Sequence, residues 1–149
     1  MEPTKKVLDP SLIEILDFNI IKGEIDSPFT FDKDLVNDFN LDIDFNMGFN
    51  LEQKVIRADL MVDIKTQSSE EQEEEAAGHF DFTFVYTVHN LEQLANKNKE
   101  GEILMHGNLG NALASITYST SRGILMTRFQ GTALQNFILP VINPNDLLK

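Results

Sequence analysis

The chain has neither cysteine nor tryptophan in its 149 residues. Without cysteine there is no disulfide framework, no thiolate metal site and no thiol nucleophile, a composition that fits a reducing, cytoplasmic setting. Long apolar runs are also missing. Nowhere do 18 apolar residues follow one another, so no spanning helix is expected. Lys5 and Lys6 precede no apolar stretch, because Asp9, Pro10 and Asp17 interrupt it, and no secretory signal is expected. Positive charge is scarce: 12 Lys and Arg stand against 24 Asp and Glu, giving a net charge of −12. The few cations are scattered, whereas a phosphate-binding surface needs them clustered, so nucleic acid and anionic membrane are not expected as partners. The long-range field favours a basic partner or a chain rich in Lys and Arg. The alternative is that the acidity only keeps an aggregation-prone surface soluble.

What remains is a folding composition. Apolar residues make up 42% of the chain and phenylalanine occurs 11 times, enough for one core and one domain over residues 1–149. Residues 1–11 read as a flexible lead-in. Beyond them the dominant signal is period-2 alternation, which marks half-buried strands. Residues 79–90 place Phe80, Phe82, Phe84, Tyr86 and Val88 on one face and Asp81, Thr83, Val85, Thr87 and His89 on the other. Residues 55–67 place Ile56, Ala58, Leu60, Val62 and Ile64 opposite Arg57, Asp59, Asp63 and Lys65. Residues 40–51 place Leu41, Ile43, Phe45, Met47 and Phe49 opposite Asp42, Asp44, Asn46, Gly48 and Asn50. A less regular strand is expected over residues 16–23, through Phe18 and Ile20. An apolar face backed by a carboxylate-rich one indicates an antiparallel sheet covered on one side only.

The connections give the topology. Residues 52–54 suit a hairpin, and 68–78 form a longer, acidic hairpin tip with little reason to be ordered. Residues 25–39 are too long for a tight turn and are expected to cross an end or edge of the sheet. The predicted spatial order is therefore second, third, fourth, first strand. Residues 91–107 read as a loop with one helical turn near Leu91 to Ala95. From Asn108 the period changes: Leu109, Ala112, Leu113, Ile116, Ser119, Thr120, Gly123 and Ile124 recur at spacings of three and four. This predicts a helix over 108–129, capped by Asn108 and ended near Gly131. Its stripe is small enough for another backbone to approach at Ala112, Ala114, Ser115, Ser119 and Gly123. Residues 134–149, with Pro140 and Pro144, read as extended, with a short turn at 145–148.

Four antiparallel strands, one long helix and a proline-containing tail resemble the order of elements in the SecB family. Three short segments carry the likeness locally: Asp26-Ser27-Pro28-Phe29, Ser121-Arg122-Gly123, and the run from Phe137-Ile138-Leu139-Pro140-Val141 through Asn143-Pro144-Asn145-Asp146-Leu147-Leu148. The family's cysteine–proline pair before the long helix is absent, the crossover is shorter, and only the start of its last helix is present. The resemblance implies an α+β fold, a four-stranded antiparallel sheet with one face covered by a long C-terminal helix. It implies an ATP-independent holdase, active in export or for one dedicated client such as an antitoxin, the shortened tail pointing to the latter. It also implies a homodimer or homotetramer, clients held under the crossover, and an acidic sheet face that docks a SecA-like motor. The matching client residues are Phe29, Phe31, Val36 and Phe39. The matching acidic face is Asp17, Asp42, Asp44, Asp59, Asp63 and Asp81.

Catalytic chemistry finds no constellation to rest on. Asp42 and Asp44, Asp59 and Asp63, and Asp81 lack calcium-loop spacing and share a wet strand face; Asp32 and Asp34 are no better placed. His79 and His89 sit at opposite ends of one strand, about 33 Å apart, and cannot share an ion with each other. His106 has no ligand pattern around it, and the Gly107 to Gly110 segment lacks the Lys-Ser/Thr of a phosphate loop. No enzyme, cofactor or metal is expected. Two other readings stay open: a non-chaperone module that recognises one basic protein partner, and a ligand site assembled from long-range contacts.

Overall fold

The computed structural model describes residues 8–148. The strands are β1 (Ile13–Asp26), β2 (Val36–Asn50), β3 (Val55–Ser68) and β4 (Ala77–Val88), in the spatial order β1-β4-β3-β2 and antiparallel throughout. This is the predicted order. Each strand extends beyond or close to its expected bounds, and β2 begins four residues early. Val36 and Phe39 therefore belong to a strand, and the crossover shrinks to residues 27–35. The expected lead-in lies mostly outside the described residues, but Asp9 accepts from the Ser11 amide at 3.0 Å and caps a 3-10 turn at Pro10–Leu12.

Two apolar strands form the centre. Ile56, Ala58, Leu60, Val62 and Ile64 of β3, and Phe80, Phe82, Phe84, Tyr86 and Val88 of β4, are all buried. Burying one large apolar side chain contributes about 1.5–3 kcal/mol, so this double row is the main favourable term. Gly23 of β1 admits the Phe80 ring, since a Cβ there would lie 2.9 Å from its edge. β1 is irregular: register shifts between Ile15 and Asp17 and between Ile20 and Lys22 expel Leu16 and Ile21 to solvent. Leu16 is thus outside the core, because a bulge inserts a residue and turns its side chain out of the alternation.

After β4 come a single helical turn, α1 (Leu91–Leu94), and a small hairpin of β5 (Ala95–Lys97) and β6 (Ile103–Met105), which period-2 reasoning missed for want of length. The long helix α2 spans Gly107–Arg128. Its cap is His106 rather than Asn108: the imidazole Nδ1 accepts from the Asn108 amide at 3.2 Å. The buried face is also rotated from expectation. Leu109, Gly110, Leu113, Ala114, Thr117, Tyr118, Ser121 and Leu125 face inward, while Ser119, Thr120 and Gly123 are exposed. Two of the polar side chains on this face, Thr117 and Tyr118, are bonded. The Tyr86 and Thr117 hydroxyls meet at 2.7 Å, and the Tyr118 hydroxyl donates to the Pro140 carbonyl at 2.5 Å. Burial also raises the pKa of the Tyr86 phenol.

The acidic tip, where composition gave little reason for order, makes particular hydrogen bonds. The Glu75 carboxylate accepts from the Thr66 and Ser68 hydroxyls at 2.5 and 3.0 Å, and these bonds, Thr66 first, hold its pKa below the usual range. The Tyr86–Thr117 bond joins sheet to helix, and its loss would strand a buried Thr hydroxyl. Tyr86→Phe should destabilise the fold by about 1–2 kcal/mol in urea unfolding. An unchanged midpoint would mean that Thr117 finds a second partner.

Candidate binding surfaces

α2 lies over β3 and β4 and leaves the two edge strands half covered. Along β2 the apolar positions Phe39, Leu41, Ile43, Phe45, Met47 and Phe49 all pack on the core, yet every one stays partly exposed. Regular alternation makes this row continuous: it pairs with β3 residue by residue from Asp38–Gln67 to Asn50–Val55. At its far end Phe45, Met47 and Phe49 line a hollow of about 340 Å³ together with Ile103, Met105, Leu147 and Leu148. The result is an apolar shelf bordered by the outer edge of β2, which pairs with no strand among the described residues.

The expected client residues divide between two places. Phe39 stacks edge-on against Phe137 at 5.1 Å, within a cluster that also includes Phe129 and Phe80. Phe31 packs against the core and Val36 is half-buried. Phe29 alone is fully exposed, on the turn closed by the Phe31 amide and Pro28 carbonyl. This turn is braced. The Gln72 amide accepts from the Asp32 amide at 2.9 Å and donates to its carbonyl at 3.2 Å, the Ser69 amide donates to the Leu35 carbonyl, and Ser27 Oγ accepts from the Ala133 amide. Phe29 and Phe31 line a hollow of about 220 Å³ with Glu73 and Glu74. The β2 row was legible as a strand face, but nothing in the sequence marked it as uncovered.

The opposite face of the sheet carries all six expected aspartates. Register aligns Asp42 with Asp63 and His79, Asp44 with Met61 and Asp81, and Asn46 with Asp59 and Thr83; Asp17 lies further along, beside Val85. Asp59 is partly compensated by Arg57 Nε at 3.0 Å and the Thr83 hydroxyl at 2.6 Å. His79, which sequence reasoning set aside as a metal ligand, is clamped: Nδ1 lies 2.6 Å from Asp63 and Nε2 3.0 Å from Asp81. A neutral imidazole has only one N–H, so donating to both carboxylates requires the imidazolium. The bonds to Asp63 and then Asp81 raise the pKa of His79 above the ordinary value, against a smaller opposing effect of burial. Among the described residues no three His, Asp or Glu side chains are grouped so as to hold a metal ion. Nor is any described helix long and apolar enough to cross a membrane.

No family model and no curated protein matches the sequence. Among solved structures, the Mycobacterium tuberculosis SecB-like chaperone Rv1957, in complex with a peptide from the Rv1956 HigA1 antitoxin, superposes with a TM-score of 0.64 and 13% identity. The match covers 89% of this chain and 91% of that one. A protein of unknown function from Streptococcus agalactiae is similar at a TM-score of 0.34 and 11% identity, over 87% and 97% of the two chains, too slight to define a common fold. The chain therefore has a SecB-like fold, α+β with a four-stranded antiparallel sheet.

The His79 clamp has a signed pH dependence. Its folded pKa lies above the unfolded value of about 6.5, so its stabilisation is complete below that pH and fades as pH rises through the folded value. Urea midpoints of wild type and His79→Gln should differ most near pH 6 and converge toward pH 9. A difference constant across that range would remove the imidazolium from the account.

Proposed function

We propose that the protein is a holdase, an ATP-independent chaperone that keeps unfolded polypeptides from aggregating. The observation that carries this reading is the β2 shelf, apolar along the strand yet nowhere fully covered. Exposed contiguous apolar surface marks an interaction site, and an extended chain can satisfy both the shelf and the free backbone groups of an edge strand. Phe29 supplies a second apolar contact on the crossover. The SecB-like fold supports the reading, as does the peptide bound by the mycobacterial protein. No step of chemistry is required, and the protein is not an enzyme on this account. The acidic face of the sheet is a second surface, suited to a basic protein such as a SecA-like motor or to the Lys- and Arg-rich parts of a client. Service to export or to one dedicated client are both compatible with these surfaces. A non-chaperone module would use the acidic face alone and leave the shelf idle.

Self-association completes the proposal. β1 is an edge strand with Ile15, Leu16 and Ile21 more than half exposed, and α2 turns the uncharged Ser119, Thr120 and Gly123 to solvent. A second copy would cover these residues, giving a dimer or tetramer.

Light scattering of several aggregating proteins, without nucleotide, tests the function. Phe29→Ser and Phe45→Ser, each checked for native circular dichroism, should weaken client affinity by about tenfold together, the equivalent of ~1.4 kcal/mol. Asp42→Asn with Asp44→Asn should weaken it less, and salt should act on that face rather than on apolar capture. Aggregation unchanged by the wild type across all clients would replace the holdase with the single-partner module. Sedimentation at micromolar concentration should give a dimer or tetramer, and a 16.9 kDa species alone would refute self-association.

A further inference from the structure

The tail reaches the very shelf just assigned to clients. After the Tyr118–Pro140 bond it turns at Asn143, whose carbonyl accepts from Asp146 and whose side chain accepts from the Asn145 amide at 3.0 Å. It then forms a 3-10 turn, Pro144–Leu148, that packs on both α2 and β2. Leu147 and Leu148 are half-buried and help line the hollow beside Phe45, Met47 and Phe49. Leu148 settles on α2 at Gly110, where a Cβ would lie 3.1 Å from its Cδ1. An exposed hydrogen bond, Asn111 Nδ2 to Asn145 Oδ1 at 3.0 Å, joins the turn to the helix.

Three features distinguish this contact from ordinary core packing. None of the turn's residues is fully buried, and none pairs with a strand. A five-residue 3-10 turn has poor hydrogen-bond geometry and little stability of its own. Its two leucines also present to the shelf the chemistry that an unfolded client would present. We infer that the Pro144–Leu148 turn is an internal pseudo-client, occupying one end of the β2 shelf and yielding it when a client binds. The inference rests on the holdase reading and assigns that site its regulation. The occupied fraction then reduces apparent affinity, since a client binds only the share of molecules whose shelf is free.

The test compares variants of the full chain in binding a fluorescently labelled lysozyme kept unfolded by alkylation of its cysteines. Leu147→Ser with Leu148→Ser should bind this probe several-fold tighter than wild type, up to about tenfold if most molecules are closed. Gly110→Ala approaches the same end from the helix. Alanine favours the helix, and its methyl would meet the flexible end of Met105 at 2.8 Å and Leu148 at 3.1 Å, so Met105 gives way and Leu148 is pushed outward by a few tenths of an ångström, loosening the turn. This variant should also gain affinity, and a synthetic peptide of residues 140–148 should compete with the probe for both. Damage to the fold predicts the reverse, a loss. Folded variants that bind the probe as the wild type does, or more weakly, overturn the pseudo-client while leaving the holdase standing. Absence of binding by wild type and variants alike would overturn both.

Discussion

An α-helix with its side chains is about 10–12 Å across. Four strands spaced about 4.8 Å apart make a sheet whose face is nearly 20 Å wide. One helix therefore cannot cover it, and in this protein α2 is placed over the middle, where β3 and β4 bury their apolar rows completely. The shortage of cover falls on the edges. β1 meets it with two bulges that break its alternation and with Lys22 on its edge, whereas β2 stays regular for 13 paired positions, Asp38 to Asn50, and keeps its apolar row half open. The different treatment of two equivalent edges is what gives the molecule a shelf, and the two surfaces assigned to binding follow from it.

The other face follows from the same geometry. With no second layer, that face must be wet, and it is filled with carboxylates to the point that Asp42 stands directly across from Asp63. Such repulsion is tolerated in solvent and locally relieved, by His79 between Asp63 and Asp81 and by Arg57 and Thr83 at Asp59. Apolar capture and charge selection thus occupy opposite sides of one sheet. A client can be held by one while a basic partner approaches the other.

Much of this was legible in the sequence, for reasons that also explain what was not. Strand alternation is a local property, so Phe80 to Val88 and Ile56 to Ile64 announced their faces, and loop lengths gave the strand order. The helix face was misread because hydrophobicity favoured Ile116 and Ile124 over Thr117, Tyr118 and Ser121. Thr117 and Tyr118 find their partners in Tyr86 and Pro140, far away in sequence. Phe39 was assigned to the crossover because the strand was expected to begin at Asn40; its stacking on Phe137 is a long-range contact. The acidic tip was read as disordered from composition alone, whereas Gln72 and Glu75 bond to particular neighbours. The strand alternation put Asp17, Asp42, Asp44, Asp59, Asp63 and Asp81 together because one face of a strand is a local property. The shelf was hidden because no sequence pattern reports how wide a sheet is relative to its cover.

Amide hydrogen exchange with and without an unfolded client tests the central claim most directly, since it reports which edge the client occupies. Edge amides that point to solvent exchange readily, and a chain laid along the shelf would shield them. The account predicts added protection concentrated in Val36–Asn50, with little change on the open face of β3 and β4. Protection confined to β1 or to the acidic face, or none while a client is demonstrably bound, would contradict it.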